Sequence, residues 1–195
     1  VLVAFLWLTG RLEGYDPVNE MMFRDNPALG IRYALFAIAV VTALLGIFDR
    51  SSGDTGGWFF TQHALLALVL IYLSRHLNDR HILYHFDNNR EVVQEKNIAV
   101  AIVEGATYLA SAQIIGAAFA DWEDGLVIAL EWFFIGQLLL IVLALVYRAV
   151  DRAVDAALDD GNVAVGISLG GYFFARGIVC GAARKRPAPG WMHHS

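Results

Sequence analysis

Long apolar runs separated by short polar segments dominate the chain. Five of them, at 27–48, 58–75, 97–119, 126–149 and 162–183, approach or exceed the roughly 20 residues a helix needs to cross a bilayer core of about 30 Å. Apolar residues fall in blocks, without the polar partners of a 3.6 or 2.0 period. All four prolines lie outside the run interiors, with Pro27 at a tolerated first-turn position. Each run therefore predicts a transmembrane helix whose backbone satisfies itself in lipid. A sixth run, Val1 to Leu8, is too short to span. It reads as the end of a truncated helix, with a signal-peptide remnant as the alternative. The predicted fold is all-α, a polytopic bundle of five complete spans plus the end of a sixth.

The connections alternate in character. Segments 9–25, 76–96 and 150–161 are longer and charged, whereas 49–57 and 120–125 are short, the second carrying Asp121, Glu123 and Asp124. One side collects Arg11, Arg24, Arg75, Arg80, Arg90, Lys96, Arg148 and Arg152; the other has Arg50, Arg184, Lys185 and Arg186. The excess of cations predicts that the longer loops face the cytoplasm and the C-terminus lies outside. The tail from Arg184 to Ser195, with Pro187, Pro189 and Trp191, reads as an extended interfacial segment.

Three spans open alike: Asn26-Pro-Ala-Leu-Gly-Ile, Asn97-Ile-Ala-Val-Ala-Ile and Asn162-Val-Ala-Val-Gly-Ile. Asn is a favoured N-cap, its side chain accepting from an orphan backbone N–H. The other two spans also correspond, through Trp58-Phe59-Phe60 and Trp132-Phe133-Phe134, and run on to Arg75 and Arg148. The predicted unit is thus a helix pair, Leu-rich then Asn-capped. Two complete units cover 58–119 and 126–183, residues 1–48 fit a partly truncated first unit, and 184–195 form the tail.

Small residues recur four, eight, 15 and 19 positions after the cap: Ala101, Gly105, Ala112 and Gly116 in one span, Gly166, Gly170, Gly177 and Gly181 in another. Such faces let backbones approach closely in lipid. They predict a seam shared between the two repeats within one molecule, with an interface to a second subunit as the alternative. The span from Asn26 has Gly30, Ala34, Val41 and Leu45 instead, which predicts peripheral packing of the first unit.

These features, the Asn-x-Ala opening, the Gly/Ala-rich continuation and the charged loop before it, resemble the YjfL-like bacterial inner-membrane proteins, the domain-of-unknown-function 350 family. The resemblance covers the four-helix run from about 58 to 183, with the preceding residues an added half or whole unit. It implies a small multi-pass plasma-membrane protein and no catalytic residues.

Composition adds exclusions. Of 195 residues, 57% are hydrophobic and 17% charged, against roughly 45–50% and about 25% in soluble domains. Acidic residues outnumber basic ones by 19 to 14, which argues against nucleic acid. The single cysteine, Cys180, excludes a disulfide scaffold and reads as a buried inert thiol. His81 and His85 have helical metal-ligand spacing but lack an accompanying Glu, so they remain weak candidates. No metal, cofactor or enzymatic activity is expected.

Charges inside the spans are the sharpest signal, because each costs about 2.5–3.5 kcal/mol to insert. Arg32 and Glu104 lie six and seven residues past their caps, both about 9–10 Å along their helices. Glu131 and Arg176 fall together at roughly 21–25 Å, with His63 near them. Two pairs are expected, Arg32 with Glu104 and Glu131 with Arg176. They either neutralise one another and fix helix register or line an ion path. The leading expectation is a structural or accessory subunit contacting membrane lipids and other membrane subunits or itself. The rival is a small ion or proton channel or transporter, with Gln113 and Gln137 as further polar lining. A metal- or haem-binding redox subunit is a third class, dependent on His81 and His85.

Overall fold

A computed structural model of the chain describes residues 10–11, 14–48, 56–83, 87–119, 126–150 and 153–184. The apolar run Val1–Leu8, the acidic loop at 121–124, His85 and the tail beyond Arg184 lie outside them. Among the described residues the structure is all-α, without strands. Its helices are α1 (Pro17–Met22), α2 (Pro27–Phe48), α3 (Gly56–His81), α4 (Ile98–Ala118), α5 (Leu126–Val150), α6 (Ala153–Asp159) and α7 (Val163–Arg184), with a π-helical turn at Arg90–Gln94 before α4.

Among the described residues four helices are long and apolar enough to cross a membrane: Pro27–Phe48, Ile98–Ala118, Leu126–Val150 and Val163–Ala183. The 26-residue α3 is not among them. Its second half carries Ser74, Arg75, His76, Asn78, Asp79, Arg80 and His81, which offset the Leu-rich first half.

The Asn-capped helices α2, α4 and α7 stand side by side, parallel and in register. Leu35 faces Gly105 and Gly46 faces Gly116 on one side of α4, while Ala99 faces Gly166 and Ala110 faces Gly177 on the other. The Leu-rich helices run the opposite way, α3 against α2 and α4, and α5 against α4 and α7. His63 of α3 meets Phe119, just past the end of α4, and Gly136 of α5 meets Ile114.

Burial follows from this order. In the apolar window of α4, 78% of residues are buried, against 28% in α5 and α7. The outer faces of α5 and α7 are as apolar as a core, with Phe134, Ile135, Leu138, Ile167, Phe174 and Val179 all exposed. An exposed apolar surface of this extent is at equilibrium in lipid and not in water.

Candidate functional site

Glu104 lies one and a half turns into α4 and is fully buried. Its Oε1 stands 2.7 Å from Arg32 Nη2 of α2, whose side chain is 3% exposed. Tyr108, one turn further along α4, donates its hydroxyl to the same oxygen. Arg75 Nε of α3 lies 3.8 Å from that oxygen and 3.7 Å from Asp79 Oδ2. Asn88 Nδ2 donates to Asp79 Oδ1 at 2.8 Å, and Arg32 Nη1 donates to Asn89 Oδ1 at 3.1 Å. Two guanidiniums and two carboxylates from three helices thus balance when both acids are ionised. An unpaired ion in such a place costs several kcal/mol. Asp79 sits one turn past the end of the apolar run of α3.

A second polar line continues deeper. Asn78 Nδ2 donates to Ser111 Oγ at 3.1 Å, and Ser111 Oγ lies 3.4 Å from Gln137 Oε1 of α5. Ser111 lies seven residues beyond Glu104 on α4, about 10 Å along the axis. Glu104 Oε2, Asn78 Oδ1 and Gln137 Nε2 are buried and have no hydrogen-bond partner among the described residues.

The three cap asparagines share one geometry. Asn26 Oδ1 accepts from Leu29 N at 3.0 Å, Asn97 Oδ1 from Val100 N at 3.2 Å, and Asn162 Oδ1 from Ala164 N and Val165 N at 3.1 and 3.3 Å. Each follows a residue in the left-handed region, Asp25 at φ 49°, Lys96 at 55° and Gly161 at 72°. That conformation turns the chain sharply into the helix; Asp visits it more readily than most residues, while nothing in the residue type of Lys96 announces it.

The small residues pack one unit on another within the molecule, but through two seams on opposite sides of α4 and not through one shared face. Those of α4 face α2: a Cβ on Gly105 would meet Leu35, and one on Gly46 would lie 2.6 Å from Gly116 Cα. Ala101 and Ala112 of the same series are fully buried. Those of α7 face the other side of α4. A Cβ on Gly166 would lie 2.8 Å from Ala99 Cα, one on Gly177 2.4 Å from Ala110 Cα, and Gly170 and Gly181 meet Ala106 and Gln113. The helices are related by stepping along a row, so each seam docks on the preceding helix and the two never meet. The helix α2, expected at the periphery, is at the row's edge yet packs closely on α4.

The second expected ion pair does not form. Glu131 is exposed, and Arg176 lies over the Tyr172 ring, 4.9 Å from its centroid. Matching depth is not matching face. The buried stripe of α5 runs through Ala129, Phe133, Gly136, Gln137, Leu140 and Ala144, and Glu131 falls on the opposite side. His63 packs edge-on to Phe119 at 5.5 Å. His81 is exposed at the end of α3, and no group of three metal-ligating side chains occurs among the described residues. Cys180 is partly buried.

Arg75 and Arg148, counted among loop cations from sequence, are buried instead, and Arg148 Nη2 pairs with Asp155 at 3.1 Å. A signal for Arg75 existed. Ala67, Leu70, Ile71, Ser74, Arg75 and Asn78 follow helical spacing and are all buried, so the polar residues continue an apolar stripe.

An all-α bundle whose long outer helices expose broad apolar faces, with Arg32, Arg75 and Glu104 turned inward, is a polytopic membrane protein. The model of the Domain of Unknown Function family DUF350 matches residues 1–119 and 121–191, and the chain belongs to that family. The match takes in the residues before 58, which the sequence set apart as an addition. No curated protein and no solved structure matches the chain.

Proposed function

We propose that the chain is a non-enzymatic integral protein of the bacterial plasma membrane, with five spans built as tandem helix pairs, acting as a structural or accessory subunit of a homo-oligomer or larger membrane complex. In this reading α3 is the fifth span, the longer charged loops are cytoplasmic and the C-terminus lies outside. The observation that carries it is the Arg32–Glu104 contact. The deepest charges of α2 and α4 are committed to each other at 2.7 Å, which locks helix register and leaves the outer faces to contact lipid and partners. The test is purification of the full chain in mild detergent or native nanodiscs, with its mass and its copurifying proteins measured. Self-association or a stoichiometric partner is expected; a solitary monomer contradicts the reading.

A second reading, a proton or ion path, is favoured by the unpartnered Glu104 Oε2, Asn78 Oδ1 and Gln137 Nε2. Buried polar atoms of this kind commonly bind water. Proteoliposomes carrying the purified chain and a trapped pH dye test it. A proton leak abolished by Glu104→Gln would support conduction, and a rate equal to empty vesicles would exclude a constitutive proton path.

A further inference from the structure

Among the described residues the row α2–α4–α7 has two open edges, and the edges match. Counting from each cap Asn, α4 receives its neighbour on positions 2, 5, 9, 13, 16 and 20, which are Ala99, Ile102, Ala106, Ala110, Gln113 and Ala117. The glycines of α7 at positions 4, 8, 15 and 19 dock there: Gly166 on Ala99, Gly170 on Ile102 and Ala106, Gly177 on Ala110, Gly181 on Gln113 and Ala117. α4 docks on α2 by the same rule, Gly105 at position 8 on Leu35 at 9, and Gly116 at 19 on Gly46 at 20.

The receiving face of α7 is complete and, among the described residues, empty. Ala164, Ile167, Gly171, Ala175, Ile178 and Ala182 occupy the six positions and all are exposed. A Cβ on Gly171 would meet nothing within 4 Å. At the other edge, the docking positions of α2 are Gly30, Ala34, Val41 and Leu45, the last three exposed.

An independent polar contact repeats with the same step. Asn26 Nδ2 donates to Val92 O and Val93 O, and Asn97 Nδ2 to Leu158 O at 2.8 Å. Val93 and Leu158 each lie four residues before the next cap Asn. Asn162 caps its own helix in the same way, but its amide meets no such carbonyl among the described residues. Four residues before Asn26 lies Met22, 73% exposed at the end of α1.

We propose that a second copy of this chain docks head to tail, its α2 entering the receiving face of α7, so that the helix row continues from one molecule into the next. The inference rests on the subunit reading above and names the partner. The continuity of an interface already used twice within the chain singles out this occupant. A heterologous contact of this kind closes into a ring or extends, depending on the rotation per step. In the second copy the Met22 carbonyl takes the place that Leu158 O holds for Asn97.

The test is disulfide trapping in native membranes, in a Cys180→Ser background. Ala34→Cys with Gly171→Cys places thiols at positions 8 and 9 of the register. Leu45→Cys with Gly171→Cys is the off-register control, displaced by about 15 Å along the helix. The first pair is expected to give a dimer or a ladder of oligomers on oxidation, and the control none. Equal trapping in both, or in neither, overturns the proposal. Gly171→Leu adds bulk where the chain itself has nothing, so it is expected to keep the monomer's fold while weakening self-association about tenfold or more; unchanged association is a second contrary result. Association through another face, or with a different protein, would end this inference and leave the subunit reading standing. A solitary monomer in nanodiscs ends both.

Discussion

The two sides of α4 carry the same docking register and hold it by different chemistry. Towards α7 the contact is made of small residues, with Gly166 and Gly177 against the backbone of Ala99 and Ala110. Towards α2, Gly46 and Gly116 make one close approach, but Arg32 and Glu104 add a buried ion pair that Arg75 and Tyr108 support from α3 and α4. On the α7 side, close backbone packing and the Asn97–Leu158 hydrogen bond stand where the α2 side has its buried ion pair. The charges on one side add a constraint on register, since a slip of one residue strands two ions in an apolar interior.

The comparison breaks most severely at the charges. Arg32→Leu or Glu104→Gln alone should cost about 3–5 kcal/mol, because each leaves buried polar partners uncompensated; the loss is read in SDS-titrated unfolding of the purified chain. On the other side, Gly177→Val forces side-chain atoms into the Ala110 backbone and should cost about 1–3 kcal/mol. The same assay checks it, and a neutral result would mean that α7 does not pack as closely as described. Gly161→Ala keeps every contact but must hold φ 72° with a Cβ, a penalty of about 1–2 kcal/mol.

Least of all should Gly171→Leu disturb the isolated chain, since its added side chain meets open space.

Much of this architecture is legible in residue spacing. The apolar runs locate the long helices to within a few residues, and the cap asparagines sit at the starts of α2, α4 and α7, where their side chains accept backbone N–H groups. Depth along a helix was also readable, which is why Arg32 could be set opposite Glu104. Azimuth was not. Glu131 and Arg176 have matching depths, but a shift of two residues from Ala129 rotates a side chain by roughly 200°, and Glu131 ends on the exposed side of α5. The facing of the small-residue seams was equally hidden, because spacing marks a close approach without naming the helix approached. Asn78 and Asp79 read as loop residues and Arg75 as a cation at its edge, since hydropathy alone ends the run of α3 before the buried stripe ends.

The double-mutant cycle across Arg32 and Glu104 tests most directly whether the ion pair is what distinguishes the two sides of α4. Arg32→Leu, Glu104→Gln and the combined variant are compared with the parent chain in one detergent at one pH. A coupling of about 1–3 kcal/mol is predicted, so that the double variant loses less stability than the two single losses added together. Strict additivity of the two losses would contradict the account.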